Sequence, residues 1–337
     1  MARAVGDGMA ASEAAQRGTR VPRRDLGVAV VAVVVVLAAL GRPLLEHLFD
    51  RPAFAHWATI FVSIAVQAMP FLVLGIAISG AIAAFVPQGF LPSHLPQRPA
   101  LAVPTAAVAG AALPGCECGS VPVAARLVSS GVAPAAALTF LLSSPAINPV
   151  VLVATAVAFP GQPEMVAARL VASVLAAVAV GFAWTRLGNA GLVARARRRH
   201  VHEGRPVAVF FDTAQHDLLQ AGGFLMVGAA TAATLQTVVP RTILDSLADT
   251  GLLSVLALAG LAVILAICSE ADAFVAASLT QFSMTSRLAF MVVGPMVDVK
   301  LIALQTGTFG KAFAVRFAPL TFVAAVASSL LVGWWLL

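Results

Sequence analysis

Residues 113–122, with the sequence LPGCECGSVP, place prolines, glycines and cysteines inside an otherwise apolar run. Proline lacks an amide donor and glycine destabilises helix interiors, so a regular helix is not expected to continue through this stretch. In a bilayer, backbone outside a helix is tolerated only where protein buries it or a cavity borders it. The opened backbone would carry Cys116, Glu117 and Cys118, and polar groups at membrane depth are functional-site candidates by default. The stretch therefore predicts a broken helix that carries a functional site.

The composition supports the membrane setting that this interpretation requires. Hydrophobic residues make up 60% of the 337, charged residues 11%, and the mean hydropathy is +0.95. Soluble proteins, by comparison, are about a quarter charged. A chain of this length then accommodates about 8–10 helical segments. We therefore expect an all-α polytopic protein in the lipid bilayer, with some segments broken or re-entrant.

The basic residues lie at the ends of apolar segments, so the net charge of +6 does not indicate a nucleic-acid partner. Five arginines lie in a polar tail over 1–24, and five lie in the loop 188–209. The positive-inside rule makes both segments cytoplasmic, which predicts a multi-pass protein of the inner (cytoplasmic) membrane. The apolar run Leu26–Leu40 is not followed by an A-x-A cleavage site. We therefore expect a retained extra helix and loop over 25–56.

The chain after the basic loop repeats the chain before it. The pattern Q-A-x-x-F-L-x-x-G at Gln67 returns about 150 residues later, and Cys116 and Asn148 align with Cys268 and Asp298. The order of the matches is kept, which indicates an internal duplication. It divides the chain into a first repeat over 57–187, the basic loop over 188–209 and a second repeat over 210–337.

Charge placement predicts how the two repeats lie in the membrane. If the tail and the basic loop are both cytoplasmic, an even number of crossings separates them, yet five apolar segments lie between them. One of the two broken segments, 101–130 or 132–159, would then enter and leave on the same side. The repeats would start on opposite sides of the membrane. Such inverted repeats are typical of secondary transporters, whose sites lie at the repeat interface.

If the breaks of the two repeats meet at that interface, three thiols converge there. Cys116 and Cys118 of the first repeat and Cys268 of the second would then be metal ligands. Soft thiolates favour Zn(II), Cu(I) and other thiophilic ions, and three of them suit a trivalent arsenical. A single buried cysteine is more often a small core residue. The C-E-C sequence on a break, echoed by C-S-E-A-D in the second repeat, favours a site instead.

Further polar residues in apolar runs are expected near this site. Asp298 is either a ligand or proton-coupling carboxylate, or the ion-pair partner of Lys300 or Arg287. Arg126 is expected to extend its charged end to a membrane surface. The predicted substrate-binding residues are Cys116, Glu117, Cys118, Cys268, Glu270, Asp272, Asn148 and Asp298.

Three functions compete on these observations. The first is a permease that exports a thiophilic ion or metalloid, driven by protons or the membrane potential. The second is a non-transporting membrane subunit that holds a metal as a sensor or assembly partner. The third, an intramembrane enzyme using Asp272 or Asp298, ranks last because no nucleophile–base pair occurs at a recognisable spacing. No P-loop, H-E-x-x-H or G-x-S-x-G motif occurs either, so no cofactor and no enzymatic activity are predicted.

Four motifs connect the chain to a known family: PGCECGSVP at 114–122, SPAINP at 144–149, CSEADAF at 268–274 and GPMVDVK at 294–300. They resemble those of predicted permeases of the YraQ/ArsP type. The resemblance covers roughly residues 57–337. It is closest to the YcgR-like branch, which has C-E-C where arsenical exporters commonly have C-S-C.

The resemblance implies an inner-membrane efflux permease in which Cys116, Cys118 and Cys268 contact the substrate. Some members of the family export trivalent organoarsenicals, and others are associated with copper or zinc efflux. Glu117 adds a hard carboxylate, which favours a divalent metal over an arsenical. Members of the YcgR-like branch resemble one half of a two-protein system, which implies a second membrane subunit as partner.

Overall fold

The computed structural model describes residues 52–87, 90–96, 98–113, 116–188, 190–193, 196, 205–238 and 251–337. Within these residues the chain forms thirteen α-helices and no strand, which confirms the all-α prediction. His56–Leu337 is one compact unit; of the other unit, Met1–Ala55, only the start of the first helix is described. The predicted tail, the extra helix before residue 52 and most of the basic loop lie outside the described residues.

The helices follow one another in short steps along the chain. They are α1 (Pro52–Phe85), α2 (Phe90–His94), α3 (Pro99–Ala109), α4 (Glu117–Ser129), α5 (Pro134–Ile147), α6 (Pro149–Ala158), α7 (Pro163–Leu187), α8 (Pro206–Val238), α9 (Leu252–Leu265), α10 (Asp272–Ser278), α11 (Met284–Val293), α12 (Val299–Phe309) and α13 (Lys311–Leu336). Four pairs, α3–α4, α5–α6, α9–α10 and α11–α12, are halves of broken segments. Counting each pair once and leaving out the five-residue α2 gives eight segments in the described residues, compared with about 8–10 predicted for the whole chain.

In the part of the chain that the structure describes, five helical segments are long and apolar enough to cross a membrane: α1, α5 with α6 (Pro134–Ala158), α7, α8 and α13. Three shorter apolar segments accompany them, at Pro99–Ala112, Leu252–Leu265 and Met284–Val293. A bilayer core of about 30 Å requires about 20 residues of helix, so the short segments do not span it alone. The chain is therefore an all-helical membrane protein built from long helices and broken ones.

Both predicted breaks of the first half occur, at somewhat narrower positions than expected. After α3 a 3-10 turn over Gly110–Ala112 ends the helix, and α4 begins at Glu117 with Cys116 as its extended N-cap. The second break is confined to Asn148, because α5 stays helical through Pro145 to Ile147. Asn148 directly precedes Pro149, and the proline ring disfavours helical backbone in the residue before it, so the chain leaves the helix at this position.

The second half is broken at the corresponding places. The chain is not α-helical between α9 and α10, over residues 266–271, or between α11 and α12, over residues 294–298. Asp298 caps α12 by accepting from the Leu301 amide at 2.6 Å, as Asn148 caps α6 by accepting from the Val151 amide at 3.0 Å. Side-chain oxygens at the N-cap satisfy amides that no helical carbonyl reaches. The two residues that the duplication pairs thus have the same local structure.

Close helix contacts hold the broken segments against the long ones. Helix α7 packs on α13, α8 on α12, and α3 and α4 on α5. At Gly75 of α1 an added Cβ would lie 2.2 Å from the Gly119 carbonyl oxygen, and at Gly228 of α8 it would lie 2.6 Å from the Lys300 Cα. Small residues at such crossings let helix backbones approach closely in membranes. These two contacts place α4 and α12, which carry the candidate site.

Candidate functional site

The cysteines of the two halves meet, as the sequence predicts. One ligand atom each from Cys116, Glu117 and Cys268 lies within 4.8 Å of the others. All three residues are 2% exposed or less. Cys118, the second residue of α4, is also buried, at 1% exposed. We call Cys116, Cys118, Cys268 and Glu117 the thiol–carboxylate site.

The break before α4 explains why this part of the site is available for a ligand. Cys116 occupies the N-cap position with extended backbone, yet its side chain makes no capping hydrogen bond. Serine, threonine, asparagine or aspartate usually stands there and satisfies the first amides of the helix. Glu117 follows in the first turn, where the positive end of the helix dipole favours a carboxylate. The helix start thus presents a thiol and a carboxylate side by side.

On the opposite side, an unusual backbone conformation turns the chain toward Cys268. Ala266 ends α9 in the left-handed conformation, with φ 47° and ψ 41°, and among the described residues it is the one non-glycine residue with positive φ. This conformation costs alanine roughly 1–2 kcal/mol. The Ala266 carbonyl accepts a hydrogen bond from Lys300 Nζ at 2.8 Å. The strained turn therefore both redirects the chain and supplies an oxygen to the site.

Lys300 joins the carboxylates of the two halves. Its Nζ lies 2.5 Å from Glu117 Oε1 and 3.4 Å from Asp298 Oδ2, and the side chains of Lys300 and Asp298 are fully buried. A buried charge is tolerated only when it is paired and hydrogen-bonded. The Asp298–Lys300 pair was one of the two interpretations drawn from the sequence. The pairing of Lys300 with Glu117 was not predicted.

Asp272 belongs to a second buried ion pair, with a residue that sequence reasoning did not place at the site. Arg169 Nη2 in α7 lies 2.7 Å from Asp272 Oδ2 and donates to the Ser269 carbonyl at 3.3 Å. Its Nη1 donates to Thr155 Oγ1 in α6 at 2.9 Å. Arg169 is fully buried. The sequence gives only a general signal for it, a charged residue within an apolar run, at the seventh position of α7.

Several buried oxygens around the site accept no hydrogen bond from the described residues. They are both carboxylate oxygens of Glu117 and Glu270, Ser269 Oγ, Asp272 Oδ1 and Asp298 Oδ2. Ion pairing with Lys300 accounts for one oxygen each of Glu117 and Asp298. Buried acceptors without donors are costly and uncommon. Oxygen acceptors beside thiols are suitable ligands for a metal cation.

Two further polar residues make buried contacts. Asn148, a predicted substrate-binding residue, is fully buried; its amide oxygen caps α6, and its amide nitrogen donates to the Ser144 carbonyl at 3.1 Å. Arg126 is 7% exposed, and its Nε donates to Ser79 Oγ at 3.5 Å. The expectation that Arg126 reaches a surface is therefore wrong. Ser79 in turn donates to the buried Asp217 of α8 at 3.0 Å, a carboxylate that sequence reasoning missed.

Comparison with known proteins covers the whole of this site. Residues 53–334 match the model of the ArsP_1 family, described as "Predicted permease". The "UPF0718 protein YcgR" of Bacillus subtilis (strain 168) is 34% identical over 292 residues, 84% of this chain and 98% of that protein. The "Putative two-component membrane permease complex subunit" of Streptococcus mutans serotype c is 31% identical over 282 residues, 81% of this chain and 94% of that protein. No solved structure matches the chain significantly.

Proposed function

Because the chain belongs to this family of predicted permeases, we propose that it exports a thiophilic metal ion or metalloid through the thiol–carboxylate site. Its location would be the inner membrane, with several crossings. One observation supports this function above the others. Cys268 lies about 150 residues after the neighbouring pair Cys116 and Glu117 in the sequence, yet one ligand atom of each residue lies within 4.8 Å of the others in a buried position.

The spacing of these atoms suits one shared ion. Two sulfurs that each bind a zinc ion at about 2.3 Å lie at most about 4.6 Å apart. The three ligand atoms already lie within 4.8 Å, so little movement is needed to close them on an ion. Thiolates select soft and borderline cations such as Zn(II) and Cu(I). The substrate class is therefore a thiophilic cation, with a trivalent arsenical as the alternative.

Replacing the thiols tests this function. Cys116→Ser and Cys118→Ser should each abolish zinc efflux, because a hydroxyl nearly preserves the volume of the thiol but is not a soft donor. Cys268→Ser should lower efflux as well, by less if carboxylates complete the site. The measurement is zinc flux in membrane vesicles, with the amount of protein in the membrane followed by immunoblot. Unchanged zinc flux in the Cys116→Ser, Cys118→Ser double variant would contradict this function and would mean that the break before α4 has only a structural role.

Glu117→Gln distinguishes the two substrate classes. The substitution keeps the shape of the side chain and removes its negative charge. Transport of a divalent cation should fall strongly, because a carboxylate ligand to the cation is lost. Transport of a neutral trivalent arsenical, which binds through thiols alone, should change little. Parallel flux measurements with zinc and arsenite in the same vesicles compare the two. A larger loss for arsenite would contradict a divalent-cation substrate.

The name of one relative favours a second subunit. The Streptococcus mutans protein is named as a subunit of a two-component membrane permease complex. By that likeness, we propose that this chain works with a second membrane protein. Without it, the chain would act as the metal-binding member of the pair. We expect the purified chain to bind zinc, and we expect zinc flux only in membranes that also contain the partner. Zinc flux in liposomes that contain this chain alone would contradict the need for a partner.

A further inference from the structure

Lys300 has a position that the export of a cation does not by itself explain. Building on the proposed function, we propose that its ammonium is a tethered cation that competes with the substrate cation for Glu117. It would occupy the carboxylate side of the thiol–carboxylate site when no substrate is bound, and move aside when a metal cation arrives. Lys300 would thereby set the affinity of the site for cations relative to neutral solutes.

The contacts of the ammonium are those of a bound cation. Nζ is surrounded by three oxygens, from Glu117 at 2.5 Å, the Ala266 carbonyl at 2.8 Å and Asp298 at 3.4 Å. An ammonium has three N–H donors and no acceptor. Glu117 also belongs to the cluster with Cys116 and Cys268. The Glu117 carboxylate thus contacts the ammonium and also borders the proposed metal position. An ammonium and a metal cation so close together repel each other in a low-dielectric environment.

The helix that carries Lys300 is fixed by its packing, so the proposed displacement is confined to the side chain. The Lys300 backbone packs so closely on α8 that an added Cβ at Gly228 would lie 2.6 Å from its Cα. Asp298 caps the same turn of α12 from its own side chain. The ammonium, in contrast, is carried at the end of a flexible four-carbon stem. A cation that takes Glu117 therefore displaces the tip of one side chain and leaves the packing of α12 on α8 intact.

The first repeat has no lysine at the position equivalent to Lys300. Asn148 aligns with Asp298, so the residue aligned with Lys300 is Val150. Val150 follows the same kind of cap and is 50% exposed. The corresponding position after the other cap thus accepts an apolar side chain. The ammonium occurs only in the half of the molecule that faces Glu117.

Zinc binding by the purified full-length chain in detergent tests this role. Lys300→Met keeps an unbranched side chain and removes the charge. The matched control is Lys311→Met, because Lys311 is the only other lysine in the sequence and is exposed. Lys300→Met should bind zinc about tenfold more tightly or better, because a like charge is removed from beside the cation. Lys311→Met should match the unaltered chain. Arsenite, which is neutral, should bind both variants alike.

A double variant separates competition for Glu117 from a general effect, and remains informative if Lys300→Met folds poorly. With Glu117→Gln in place, adding Lys300→Met should change zinc affinity by less than about threefold, because contacting residues are not additive. If Lys300→Met binds zinc as well as or more weakly than the unaltered chain, while Cys116→Ser no longer binds it, Lys300 does not compete for Glu117. The proposed function would not be affected by that result. No zinc binding by any of the chains would overturn both.

Discussion

At the scale of single residues, Arg169 and Asp272 connect parts of the chain that are far apart in sequence. The guanidinium of α7 contacts Thr155 of α6, the Ser269 carbonyl and the Asp272 carboxylate at the start of α10. Ser269 directly follows Cys268 in the chain, and Asp272 lies four residues after it. We infer that this ion pair holds the second half of the thiol–carboxylate site in position.

Arg169→Met should therefore destabilise the protein strongly. Asp272 is 1% exposed, and removing one partner of a buried ion pair typically costs about 3–5 kcal/mol because the other charge is left uncompensated. Arg186→Met, at an exposed position of the same helix, is the control and should change the free energy of unfolding by about 0.5 kcal/mol or less. The thermal unfolding of the purified protein in detergent measures both effects.

The double variant Arg169→Met, Asp272→Leu completes this test. Replacing both charges by apolar groups of similar size leaves no unpaired charge, so most of the lost stability should return. If Arg169→Met were as mild as Arg186→Met, the ion pair would not hold this part of the structure together.

At the scale of helices, the site depends on two crossings that glycine permits. Gly75 lets α1 approach α4, which begins with Glu117, and Gly228 lets α8 approach α12, which carries Lys300. Both glycines belong to the repeated Q-A-x-x-F-L-x-x-G pattern. The pattern thus has a structural meaning, since each copy contains the glycine against which a half of a broken segment is packed.

Gly228→Ala should separate α8 from α12 and lower zinc affinity. The new methyl group would lie 2.6 Å from the Lys300 Cα, too close for any rearrangement of side chains alone. Gly222→Ala in the same helix is the control, because an added Cβ there has no neighbour within 4 Å among the described residues. It should stabilise α8 by about 0.5–1 kcal/mol. Zinc titration and thermal unfolding of both variants test the difference; equal behaviour would argue against a tight crossing.

At the scale of the whole molecule, the inverted arrangement of the two repeats remains a prediction, and labelling from outside the cell tests it. The loop 160–164 has no lysine or arginine and should be outside, whereas the end of the basic loop should be cytoplasmic. Gln162 and Arg205 are both exposed. A membrane-impermeant maleimide should label Gln162→Cys in intact cells, and Arg205→Cys only after lysis. Labelling of Arg205→Cys in intact cells would exclude the inverted scheme.

The sequence alone determined those features that depend on neighbouring residues. Long apolar runs predict helices in a membrane, and prolines and glycines within them predict the breaks, because both effects act within a few residues. The capping of α6 by Asn148 and of α12 by Asp298 is local in the same sense, since each accepts from an amide three residues later. The duplication added the expectation that Cys116 and Cys268 come together, and they do.

Only the tertiary structure decided which charges are paired. Lys300 contacts Glu117, and Arg169 contacts Asp272, 103 residues away. It also placed Arg126 in the interior, beside Ser79. No local pattern distinguishes a buried arginine with a distant partner from one that reaches the membrane surface, because burial and pairing depend on which helices pack together. The candidate ligands were therefore identified from the sequence, but the cation that lies against Glu117 was not.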